Sequence, residues 1–121
     1  MTRIRLLGIL GESDDQARGL MGLGSIPEDS GMLFSYVQPL YLTFWMKNTF
    51  IPLDLAFIGP DMRINEIVSL EPLSLERIES KCPSMMALEV NRGTLVRFGV
   101  TVGHLTKIDG ENDELIFDST P

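Results

Sequence analysis

The run Leu-Asp-Leu-Ala-Phe-Ile at residues 53–58 constrains the fold more than any other stretch of this 121-residue chain. It is the most apolar strand candidate, Gly59-Pro60-Asp61 closes it, and residues 63–68 follow with strand composition. The segment therefore reads as an antiparallel hairpin. Alternation along a strand sets Leu53, Leu55 and Phe57 on one face and Asp54, Ala56 and Ile58 on the other. Residues 85–90 read as another strand, with Met86, Leu88 and Val90 on one face and Met85, Ala87 and Glu89 on the other. Each strand thus carries one acid beside an alanine on its less bulky face.

The rest of the chain supplies short elements of the same kind. Residues 3–10 are rich in Ile and Leu and end at Gly11, as a strand running into a turn does. Ser13 and Gln16 fit a capping box, Asp14 and Asp15 suit the positive end of a helix, and Ala17, Leu20 and Met21 recur at helical spacing before Gly22 and Gly24 stop it. Residues 32–37 and 41–46 read as strands, and residues 71–83, with two prolines, as an irregular connection. Asn91 is placed to cap a short helix carrying Leu95 and Phe98 and stopped by Gly99, after which residues 100–108 return to strand character. About six short strands with one or two short helices predict a mainly β, α+β domain over residues 1–108, built as a small barrel-like or curled antiparallel sheet. Residues 109–121 contain five acids and no base, an acidic tail in which Leu115-Ile116-Phe117 could add an edge strand.

Composition narrows the function classes. With 10 basic and 17 acidic residues the net charge is −7, so a nucleic acid is not an expected partner, because phosphate backbones need a basic face. The single cysteine, Cys82, allows no intramolecular disulfide and suits a reducing interior. The apolar run at residues 6–10 is too short for a signal peptide and is followed at once by Glu12, Asp14 and Asp15. No stretch approaches the roughly 20 apolar residues that cross a bilayer, so no membrane partner is expected and the cytoplasm is the default compartment.

Three blocks carry a resemblance: Ala17-Arg18-Gly19-Leu20-Met21, then Pro27-Glu28-Asp29-Ser30-Gly31-Met32-Leu33-Phe34, then the long block of residues 44–58 from Phe44-Trp45-Met46-Lys47-Asn48 through Asp54 to Ile58. With Ala87-Leu88-Glu89-Val90-Asn91, Gly93, Gly99-Val100 and Val102-Gly103, they occur in the order in which the domain of unknown function 192 family has them. The chain resembles that family over nearly all of its length to Ile108. The resemblance implies a compact, mainly β fold and supplies no activity. Thr94, His104 and Cys82 depart from the family pattern.

Two constellations are candidates for a site. If the faces bearing Asp54 and Glu89 line one concavity, the two acids form a carboxylate pair of the kind that hydrolyses glycosidic bonds, although acids near strand ends are more often solvated or structural. Trp45, Lys47 and Asn48 bring an aromatic plate, a cation and an amide together, suited to a carboxylate or a sugar; the structural alternative is a turn in which Lys47 or Arg18 balances a buried acid. With Asn91, these are the candidate ligand-binding residues: Arg18, Trp45, Lys47, Asn48, Asp54, Glu89 and Asn91. Cys82 and His104 could in principle form a nucleophilic dyad, but no third orienting group can be named. No metal site and no cofactor is expected, since one His and one Cys make no zinc cluster by themselves. The leading expectation is a non-enzymatic binding or assembly module with a protein partner, self-association or a small polar ligand. A carbohydrate-directed hydrolase using Asp54 and Glu89, and a small-molecule or metal chaperone, are the alternatives.

Overall fold

The computed structural model describes residues 2–11 and 19–119. The helix expected from Ser13 falls outside them, as does Arg18, while Leu20 and Met21 lie in turns. The described strands are β1 (Thr2–Leu10), β2 (Ser30–Leu40), β3 (Thr43–Phe44), β4 (Leu53–Ile58), β5 (Ile64–Leu70), β6 (Ile78–Glu79), β7 (Ser84–Asn91), β8 (Leu105–Asp109) and β9 (Glu114–Asp118). One helix, α1 (Thr94–Arg97), is present among the described residues. Seven strands form one sheet in the order β5-β4-β7-β2-β1-β9-β8, and β3 pairs with β6 apart from it. β1 and β2 run parallel, and the other neighbours are antiparallel.

The sheet curls into a half-barrel whose two edges touch at one end. Arg63 and Leu105 bridge there, and the Ile64 amide donates to His104 O at 3.0 Å while Gly103 donates back to Ile64 O at 2.8 Å. The architecture is mainly β and curled, as the run of short strands predicts. The parallel β1–β2 pair was not legible, since it depends on what connects the two strands.

Curling gives the central strands two buried faces. All six residues of β4 are buried, which is why they read as a nearly continuous apolar run. Ala56 and Ile58 point into the curl with Ile4, Leu33, Met86, Leu88, Val90, Leu115 and Phe117. Leu53, Leu55 and Phe57 point outward with Phe34 and Ala87, and there they are covered by Leu20, Ile26, Leu42, Met46 and Ile51 from the connecting segments. Gly31, opposite Val90, has no room for a side chain: a Cβ would stand 2.7 Å from Glu89 O and 2.8 Å from Val90 Cγ1.

Several expected boundaries shift. Residues 41–46 give only the two-residue β3, because Leu42 and Met46 turn inward to roof the outer core. Residues 71–83 include β6, which pairs with it. The short helix begins at Thr94 after Gly93, whose φ of 90° makes it a left-handed entry. Asn91 does not cap it; its side-chain amide donates to Ile26 O at 3.1 Å and ties that loop to β7. Leu115-Ile116-Phe117 lie in β9, between β1 and β8 rather than at the edge of the sheet.

Candidate functional site

Three loops meet beside the outer core, stitched by backbone hydrogen bonds. Gly22 donates to Asn48 O at 2.9 Å, Leu73 to Thr49 O at 2.9 Å, and Met46 to Ser74 O at 3.1 Å. Met46 alternates inward between Trp45 and Lys47 and is buried, so its neighbours are carried toward solvent. Asn48 takes a left-handed φ of 56°, a conformation asparagine tolerates well, and this turns the chain back to bury Thr49. The result is a half-buried Trp45 with two cations over its ring: Arg77 at 4.6 Å and Lys47 at 5.2 Å from the ring centroid. Among the described residues neither cation has a carboxylate within ion-pair distance.

The same three loops hold large apolar side chains in water. Leu23 is 42% exposed, Phe50 54%, Leu73 53% and Leu75 66%. A single exposed leucine means little, but four large apolar side chains on one set of joined loops make these loops the candidate site. Arg77 was missed because residues 71–83 have no periodicity to place them, and only the fold brings this arginine onto Trp45.

The two carboxylates of the hydrolase alternative do not share a site. In the β4–β7 ladder Leu55 stands opposite Glu89, and Asp54 opposite Val90. Residues directly opposite share a face, so Glu89 lies on the outer face with Leu55 and Asp54 on the inner face with Val90. A pair acting on one bond is therefore not formed. Asp54 is a structural acid: it accepts from Ser69 Oγ at 2.7 Å and from the Gly93 amide at 2.9 Å, fixing the start of α1 against β5. Asp54→Ala should lose about 2 kcal/mol of stability in urea unfolding, because the part-buried Gly93 amide and the Ser69 hydroxyl are both left without their acceptor. Retention of full stability would mean the pin is not needed.

Glu89 is 5% exposed, and burial pushes its carboxyl pKa from 4.5 up to about 7. Leu55 and Met32 stand opposite it on the two neighbouring strands, and Gly19 covers it so closely that a Cβ there would lie 3.3 Å from Glu89 Oε1. Among the described residues its carboxyl has no hydrogen-bond or ion-pair partner. Of the sequence candidates, Trp45, Lys47 and Asn48 thus come together, Asp54, Glu89 and Asn91 lie elsewhere, and Arg18 is outside the described residues.

Cys82 is exposed, and His104 Nδ1 lies 3.1 Å from the Thr101 amide, so the described contacts do not join the two into a dyad. No group of three or more His, Cys, Asp or Glu side chains converges as a metal site among the described residues. None of the described helices is long and apolar enough to cross a membrane.

The family model for DUF192, described as "Uncharacterized ACR", matches residues 7–108. The chain is similar to a crystal structure of a protein of unknown function from Novosphingobium aromaticivorans DSM 12444, with 35% identity, a TM-score of 0.75, and 78% of this chain and 69% of that one covered. It is equally similar to a candidate transcription regulator from Sinorhizobium meliloti 1021, with 36% identity, a TM-score of 0.75, and coverage of 78% and 74%. Among curated proteins, none matches the chain.

Proposed function

Because the chain belongs to DUF192, an uncharacterised family, we propose from its geometry that it is a non-enzymatic binding module whose working surface is the set of loops around Trp45. The observation that carries this reading is the coincidence of two cations over Trp45, without a carboxylate at ion-pair distance among the described residues, with four exposed large apolar side chains on the same joined loops. Tryptophan, arginine and exposed apolar groups are what protein-binding surfaces concentrate at their centres. The partner is a protein rather than a polyanion: a net charge of −7 repels nucleic acid at long range, and two cations do not make a phosphate-tracking stripe. The description of the Sinorhizobium relative as a candidate regulator therefore lends no support here to direct DNA binding.

The test is affinity capture from a lysate of the source organism with the full chain and with a Trp45→Ala, Phe50→Ser, Leu75→Ser variant. The protein partners held by the wild type should fall by about tenfold with the variant, as loss of interface anchors does. Val96→Ser, which alters an 81% exposed residue on α1, should retain them. Equal retention by all three proteins would remove this surface from consideration.

A further inference from the structure

Resting on that reading, the geometry points to the chemistry of the partner: we infer that the loop face takes a protein segment carrying carboxylates beside apolar side chains. The argument is one of complementarity. The chain is acidic overall, yet Lys47 and Arg77 converge on Trp45 within about one ring's reach and leave their charge unneutralised among the described residues. Cations held over an aromatic ring are restrained in place while their outward N–H groups remain free to donate. Each cation, held at the ring, can donate to a carboxylate, which makes the surroundings of Trp45 suited to acidic side chains.

The surrounding apolar groups choose between sources of negative charge. Leu23, Phe50, Leu73 and Leu75 find no match in a nucleic acid backbone, and an anionic membrane would be repelled by the remaining acidic surface. A peptide with Asp or Glu next to Leu, Phe or Trp satisfies both halves at once. It would pair its acids with Lys47 and Arg77 and cover the exposed leucines and Phe50, burying apolar area that the chain alone leaves wet. The chain's own acidic turn does not serve within one molecule, because Asp109 and Glu114 are held beside Arg3, at 3.5 and 3.2 Å.

The test is selection of a displayed library of random dodecapeptides on the full chain, repeated on a Lys47→Glu, Arg77→Glu variant. Both substituted side chains are exposed, so the variant should fold, and a circular dichroism melt checks this. Peptides enriched on the wild type should combine acids with large apolar residues and bind it at least about tenfold more tightly than the variant, with affinity falling as salt rises. The charge-reversed variant should enrich basic–apolar peptides instead. Enrichment without an acidic bias, enrichment indifferent to the two substitutions, or no enrichment would overturn the inference. So would tighter binding to phosphatidylglycerol vesicles or to poly(U), or concentration-dependent self-association abolished by the same two substitutions. If the inference fails while capture from lysate still depends on Trp45, Phe50 and Leu75, the binding module stands with a different partner chemistry. If that capture is also indifferent to them, both readings fall.

Discussion

Glu89→Gln should make the protein more stable above neutral pH and leave it nearly unchanged in acid. The carboxyl sits on the outer face of β7 between Leu55 and Met32, beneath Gly19, and its pKa rises from 4.5 to about 7 because burial penalises the charged form. Below pH 4.5 the group is protonated in folded and unfolded chains alike and contributes no pH dependence. Between 4.5 and about 7 the unfolded chain releases the proton while the folded chain keeps it, so stability falls as pH rises, by about 1.4 kcal/mol per unit. Above about pH 7 the loss levels off near 3 kcal/mol in total. Glutamine keeps the shape and cannot ionise. The difference in urea unfolding free energy between variant and wild type should therefore grow from near zero at pH 4 to about 3 kcal/mol at pH 8. Taking the difference cancels the other titrating acids. A variant less stable than wild type at pH 8 would mean that the folded protein holds Glu89 ionised against a cation, and a difference constant in pH would mean that its proton is not coupled to folding.

That carboxyl also illustrates what a sequence can and cannot reveal. Period-two alternation correctly separates the faces within β4 and within β7, so Leu53, Leu55 and Phe57 are found together, as are Met86, Leu88 and Val90. It does not fix the register between strands. Because Leu55 pairs with Glu89, a one-residue offset sends the two acids to opposite sides of the sheet. The β4–β5 hairpin was legible because its pairing is local, across a turn marked by glycine and proline. The roof over the outer core was not, since local patterning of the segments that carry Leu20, Ile26, Leu42 and Ile51 does not say which face of the sheet they fold across. The proposed surface divides the same way: Trp45, Lys47 and Asn48 are neighbours in sequence, whereas Arg77 and the exposed leucines reach them only through the pairing of loops far apart in the chain.

The acidic C-terminal segment poses the same question of local against long-range order, and a chain ending at Gly110 should not fold. We propose that the tail belongs to the domain rather than decorating it. β9 pairs with β1 from Thr2 to Arg5 and with β8 along its whole length, so its removal breaks the sheet between its third-last and last strands. Leu115 and Phe117 are 0% and 1% exposed inside the curl, against Ile4 and Leu6. Emptying two such sites costs about 2–5 kcal/mol each, and a domain of this size has about 5–15 kcal/mol in all. β8 would keep the Arg63–Leu105 bridge and the two hydrogen bonds from Thr106 N and Oγ1 to Met62 O, all at its first two residues, and would lose its pairing along the whole strand. The five acids do not oppose this. Their alternation leaves Glu114, Ile116 and Asp118 on the less buried face of β9 while Leu115 and Phe117 face in, and Arg3 receives Glu114 at 3.2 Å. The truncated chain should show no cooperative thermal transition and a collapsed amide dispersion in its proton–nitrogen spectrum, where the full chain shows both. A folded truncation with unchanged mass in sedimentation would make the tail an ornament. A folded truncation with a smaller assembly would instead return the segment to the role of pairing one copy with the next.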